Sequence, residues 1–126
     1  MKMTLKELYE KIDGNYEQAC GILRIEKLID KHIKKFPNGG VVDSLLAAGE
    51  TMDATQLFES AHAMKGVCSN LGLVKLAAAA SEIAEEYRPG KSRTMSDGDV
   101  KAKIAYIKEL NEKTKDGINQ YVQSQQ

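Results

Sequence analysis

Apolar residues recur along this chain at spacings of three and four, and caps and breakers cut the recurrences into separate helices. Thr4-Leu5-Lys6-Glu7 has the form of a capping box, which opens a short helix that Asp13-Gly14 stops. A second start follows at Asn15. Beyond Gly21, an interruption in the pattern, Ile22, Ile25, Ile29, Ile33 and Phe36 form a stripe expected to be buried, with Arg24, Glu26, Lys27, Asp30, Lys31, Lys34 and Lys35 mostly on its solvated side. Pro37-Asn38-Gly39-Gly40 ends this helix, and Val41 to Ala48 makes a brief helical return closed by Gly49.

Asp53-Ala54-Thr55-Gln56 is a further cap-like start. From there Leu57, Ala61, Met64, Cys68 and Leu71 stay within a narrow arc of a helical wheel, as packing in a bundle requires. His62, Gly66 and Ser69 lie roughly opposite, flanked by Thr55 and Glu59. Asn70-Leu71-Gly72 is a stop with glycine where a left-handed conformation is needed, so the next helix, Val74 to Tyr87, returns antiparallel. Its run of alanines allows close approach to a neighbour. After Pro89-Gly90 and the polar loop from Lys91 to Thr94, Ser96-Asp97-Gly98-Asp99 starts a last helix carrying Val100, Ile104, Ile107, Leu110, Ile118 and Val122.

The pattern predicts an all-α fold, an antiparallel four-helix bundle with additional short helices at its N-terminal side. One domain is expected over 1–126: a short N-terminal helix within 1–14, the bundle over 15–122 and a frayed tail over 123–126. A chain of 126 residues buries roughly two-thirds of the surface its unfolded form exposes, enough for one core without metal or disulfides. Its 18 basic and 18 acidic residues cancel, which argues against nucleic acid or an anionic membrane as partner. Cys20 and Cys68 read as reduced core thiols. No metal-ligand spacing, signal segment or membrane-length apolar run occurs, so a cytoplasmic setting is expected.

The chemistry concentrates at His62, Lys65 and Gly66. A histidine on an exposed helical face is largely neutral and nucleophilic at cytoplasmic pH and is able to attack phosphorus. Lys65, one turn away, supplies a point charge for phosphoryl oxygens. A glycine inside a helix costs about 0.8 to 1 kcal/mol relative to alanine, and one facing solvent recovers nothing by packing; its compensation is room for another backbone to approach. The plain alternative is a tolerated surface histidine solvated by a neighbouring lysine. His32 lacks a lysine and glycine at the same spacing and reads as a surface or boundary residue.

His62-Ala63-Met64-Lys65-Gly66-Val67-Cys68-Ser69-Asn70-Leu71-Gly72 closely resembles the H-x-x-K-G-x-x-x-x-x-G signature of histidine phosphotransfer (HPt) domains. Asp53 to Arg88 resembles the central hairpin of that family, Tyr16 to Glu50 its first long helix and short return, and the last helix matches in length and pattern; about two-thirds of the chain is covered. The resemblance implies a phosphorelay intermediate with no ATP-binding domain and no cofactor of its own. Its partners would be response-regulator receiver domains, which bring the acidic pocket and Mg²⁺, and a (hybrid) histidine kinase. On this basis His62 is the expected phosphoacceptor, Lys65 the charge partner and Gly66 the clearance, while Ser69, Glu59, Phe58 and Leu73 are expected contacts around it. Family members often place Glu or Gln on the following helix to hold the imidazole, and the matching position here is Ala84. A monomeric, stand-alone protein is expected. The alternative is a bundle that binds a signalling partner by the same face without moving a phosphoryl group.

Overall fold

The computed structural model describes residues 1–126, and every regular element in it is helical. The helices are α1 (Leu5–Lys11), α2 (Tyr16–Leu23), α3 (Glu26–Lys35), a 3₁₀ turn (Phe36–Asn38), α4 (Val41–Thr51), α5 (Ala54–Asn70), α6 (Val74–Glu86) and α7 (Asp97–Ser124). The Thr4 capping box forms as expected, with the Glu7 amide donating to the Thr4 hydroxyl and the Thr4 amide to the Glu7 carboxylate. Asn15, Asp53 and Ser96 likewise cap α2, α5 and α7 through their side chains.

Four helices close the bundle. α5 packs against α6 and α4, and α7 completes the ring against α6 and α4. Short links between α4, α5 and α6 make successive helices antiparallel. The core is continuous and includes Leu45, Leu57, Ala61, Met64, Cys68, Ala80, Ile83, Val100 and Ile107. α1, α2 and α3 sit outside the ring, packed on α7 and on the end of α5.

Two expected helix boundaries move, because residues other than glycine take the left-handed backbone. The single stripe from Ile22 to Phe36 is broken at Arg24, whose φ of 74° ends α2 and redirects the chain into α3. In consequence Ile22 and Ile25 are 46% and 54% exposed, whereas Ile29, Ile33 and Phe36 are buried as expected. Gly21 remains inside α2 and interrupts nothing. Gly49 does not close the return helix either: α4 continues to Thr51 and stops at Met52, φ 58°. Gly49 is buried, and a Cβ there would stand 2.7 Å from the Ile104 side chain, so it serves the close approach of α4 to α7. The helical return is thus a full member of the bundle.

The chain ends are tied together. The Met3 amide donates to the Ser124 hydroxyl at 3.0 Å, and the Gln125 side-chain amide donates to the Met3 carbonyl at 2.8 Å. α7 therefore runs to Ser124, two residues into the segment expected to fray.

Two constraints hold the working hairpin α5–α6. At its closed end Gly72 adopts φ 70°, and a Cβ there would run into the Asn15 carbonyl oxygen. The Asn15 amide donates to the Gly72 carbonyl at 2.7 Å, and the buried Tyr9 hydroxyl donates to the Leu71 carbonyl at 2.6 Å. At its other end Glu86 is only 2% exposed, yet its carboxylate accepts from the Met95 and Thr94 amides, the Thr94 hydroxyl and Arg93 Nε, all at 2.7 to 2.8 Å. The Arg93 guanidinium also lies over the Tyr87 ring, 4.2 Å from its centroid. This knot organises the loop from α6 to α7.

Gly72→Ala is expected to destabilise the fold by about 2 kcal/mol or more, since both the backbone conformation and the space exclude a side chain; urea denaturation measures it. The donors around Glu86, the Met95 amide first and the Thr94 hydroxyl next, lower its carboxyl from an ordinary 4.5 to about 2. Its contribution to stability is therefore complete above about 4.5 and is lost as pH falls through that range toward 2. Thermal melts across this window are expected to fall more steeply for the natural protein than for Glu86→Gln, which at neutral pH should melt about 5 to 10 °C lower.

Candidate functional site

The site is a strip of the α5 surface together with the end of α6. α5 turns Leu57, Ala61, Met64 and Cys68 into the core, and its outward arc carries His62, Ala63 and Gly66, all exposed. Burial pushes the Cys68 thiol up to about 12, as suits a packing residue. Lys65 and Ser69 are half-buried on one flank of the arc, and Glu59 is exposed on the other. His62 thus stands exposed to solvent.

Gly66 has nothing within 4 Å of the position its Cβ would take, and its backbone is helical. Gly49, Gly72 and Gly117, by contrast, each face an atom that a Cβ would strike. No packing inside this chain accounts for Gly66. Ser69 is fixed by its backbone, whose carbonyl accepts from the Gln18 side-chain amide at 2.9 Å. That bond braces the end of α5 against α2.

Ala84 is buried, 2% exposed, on the core side of α6 and offers the imidazole no polar group. Its acidic neighbours are engaged elsewhere: Glu82 pairs with Lys103 at 2.7 Å, and Glu85 takes two hydrogen bonds from Arg88 at 3.2 and 2.5 Å. Those bonds, foremost, lower the Glu85 carboxyl, with Lys65 and Lys91 adding to the effect. What touches the His62 ring is Phe58, stacked at 5.5 Å between centroids with 18° between planes.

Leu73, expected among the contacts of the site, is buried at 3% exposure where the chain enters α6; it packs in the core and presents no surface to a partner. Phe58 is half-buried and Glu59 exposed, both on the α5 surface beside His62. Arg88 was not a sequence candidate. It reaches the Phe58 ring, 5.7 Å from guanidinium carbon to centroid, only because the hairpin brings the end of α6 beside the start of α5. The three-residue spacing from Glu85 on α6 to Arg88 just beyond its end is the only trace of that arrangement in the sequence.

An open groove of about 320 Å³ adjoins this surface, lined by Leu23, His32, Phe36, Val67, Asn70 and Leu71 among others. His32 is exposed at its rim, as a boundary residue should be, and His62 lies outside it.

A family model described as the Hpt domain matches residues 24–116. The chain belongs to the Hpt domain family. Neither the curated proteins nor the solved structures gave a match. The match spans α3 to most of α7, so the bundle and the whole α5–α6 hairpin fall within it. A phosphotransfer-type role in two-component signalling follows, and Hpt domains in general are phosphocarrier modules that work with receiver domains and histidine kinases. No helix of this Hpt domain is long and apolar enough to cross a membrane.

Gly66→Ala is expected to raise the stability of the isolated domain by up to about 1 kcal/mol, because alanine is the better helix former and the space is empty. Chemical denaturation of the two proteins side by side checks the sign.

Proposed function

We propose that this Hpt domain is a phosphorelay intermediate. His62 accepts a phosphoryl group from the aspartyl phosphate of a response-regulator receiver domain, or from a histidine kinase, and passes it to another receiver aspartate. The observation that carries this reading is the pairing of an exposed His62 with Gly66, a helical glycine one turn on that nothing inside the chain explains.

In the forward step the lone pair of His62 Nε2 forms a P–N bond. The P–O bond to the donor aspartate breaks, and its electron pair leaves with the carboxylate. The proton on Nδ1 stays with the ring until solvent or the acceptor removes it, and the return step reverses these changes. Catalysis in such a transfer is mainly positioning and charge stabilisation, since the protein supplies little covalent chemistry beyond the nucleophile. Lys65 brings a positive charge to the phosphoryl oxygens from one turn away. Gly66 leaves the helix bare beside the imidazole, so the rim of a receiver domain can come close enough for in-line attack. Ser69 and Glu59 border the surface the receiver would cover. The chain acts as a carrier in a cytoplasmic signalling pathway on this reading, and binds as a monomer.

Incubation with a phosphorylated receiver domain is expected to place on the protein a label that is acid-labile and alkali-stable, and His62→Gln should abolish it. Label that persists in His62→Gln would refute the assignment; a complex that forms without any transfer would favour a purely binding role. Gly66→Ala, although the more stable protein, is expected to transfer at least about tenfold more slowly, because a misplacement of about 1 Å is enough to cost that much.

A further inference from the structure

The imidazole of His62 has no hydrogen-bonding partner on α6, since Ala84 is apolar and buried while Glu82 and Glu85 are committed to Lys103 and Arg88. Its ring is instead laid against Phe58, one helical turn earlier. Helical side chains lean toward the N-terminus of their helix, so a ring at position i+4 settles over one at position i. An isolated pair of this kind on a solvated face is loosely held. Here the lower ring is itself held from the neighbouring helix. The Arg88 guanidinium lies over the Phe58 ring, and the Glu85 carboxylate fastens that guanidinium with two hydrogen bonds. Glu85, Arg88, Phe58 and His62 thus form a continuous chain of contacts from α6 to the nucleophile on α5.

We propose that Phe58 is a positioning residue for His62: the stack, clamped from α6 through Arg88 and Glu85, fixes the plane of the imidazole in the place of a side-chain hydrogen bond. The inference rests on the phosphotransfer reading above. A stack differs from a hydrogen bond in what it fixes. It sets the plane of the ring and leaves the tautomer free, so the Nδ1 proton is exchanged with solvent rather than held by a carboxylate or amide. Phe58 touches the nucleophile and not the phosphoryl group, so its effect is on how often Nε2 is aligned for attack.

The test uses the full chain as wild type, Phe58→Leu, Phe58→Tyr and Arg88→Met. Proton NMR reads the ring-current displacement of the His62 Hδ2 and Hε1 signals, and single-turnover transfer from a phosphorylated receiver domain separates the rate at saturation from the half-saturating receiver concentration. Wild type and Phe58→Tyr are expected to show upfield-displaced imidazole signals and equal rates. Phe58→Leu should lose the displacement and slow the saturated rate roughly three- to tenfold, the worth of one aromatic pair, at an unchanged half-saturating concentration. Arg88→Met alters only the exposed clamp and should reduce the displacement in part. Undisplaced imidazole signals in wild type would overturn the proposal. So would a Phe58→Leu protein that transfers at the full rate, or one whose defect lies wholly in the half-saturating concentration, which would make Phe58 a docking contact. Failure of the phosphotransfer reading itself looks different: wild type would take no label from any receiver domain, and the positioning role would fall with it.

Discussion

The reversal between α5 and α6 is closed by a backbone that only glycine can supply at that place, and other parts of the molecule are built onto it. Gly72 turns the chain in the left-handed region while the Asn15 segment lies directly against it, amide to carbonyl. Because the space for a Cβ is occupied by the Asn15 carbonyl, the start of α2 is packed where a side chain would otherwise be. Tyr9 then reaches the Leu71 carbonyl from α1, and Gln18 reaches the Ser69 carbonyl from α2. The N-terminal helices therefore act as a brace on the last turn of the helix that carries His62. Without them the carbonyls at the end of α5 would lose buried partners, a loss worth of order 1 kcal/mol or more each.

Three glycines of the bundle differ from Gly66 in what surrounds them. Gly49 lets α4 approach Ile104, Gly72 admits Asn15, and Gly117 leaves room for Ile12 beneath α7. Each is explained by a neighbour in the same chain. Gly66 is exposed on a helix that would be more stable with alanine. On the proposed reading that residue keeps the helix bare beside the imidazole for a partner, and a local loss of stability in exchange for access is common where function lies.

Charge is arranged in the same local fashion. The net charge is zero, but the acids and bases of α6 are sorted by position. Glu86 faces inward and ties down the loop to α7, Glu82 holds Lys103 on the last helix, and Glu85 faces the site and holds Arg88 over Phe58. The surface around His62 consequently carries two cations, Lys65 and Arg88, and two carboxylates, Glu85 and Glu59.

Periodicity and capping residues were enough to read the all-α class, the existence of the long helices and the outward direction of His62, because each depends on contacts within a few residues. The H-x-x-K-G spacing was legible for the same reason: His62, Lys65 and Gly66 lie within one helix, about a turn apart. The stops at Arg24 and Met52 were not legible, since neither residue type prefers the left-handed backbone that each adopts. Nor was the burial of Leu73, the role of Gly49 or the reach of Arg88 to Phe58, each of which depends on where a distant segment comes to lie. The sequence by itself determined that the chain is helical and which face of α5 carries His62. What holds the imidazole ring was decided by tertiary structure alone, because the clamp on Phe58 exists only once the reversal at Gly72 has brought the end of α6 beside the start of α5.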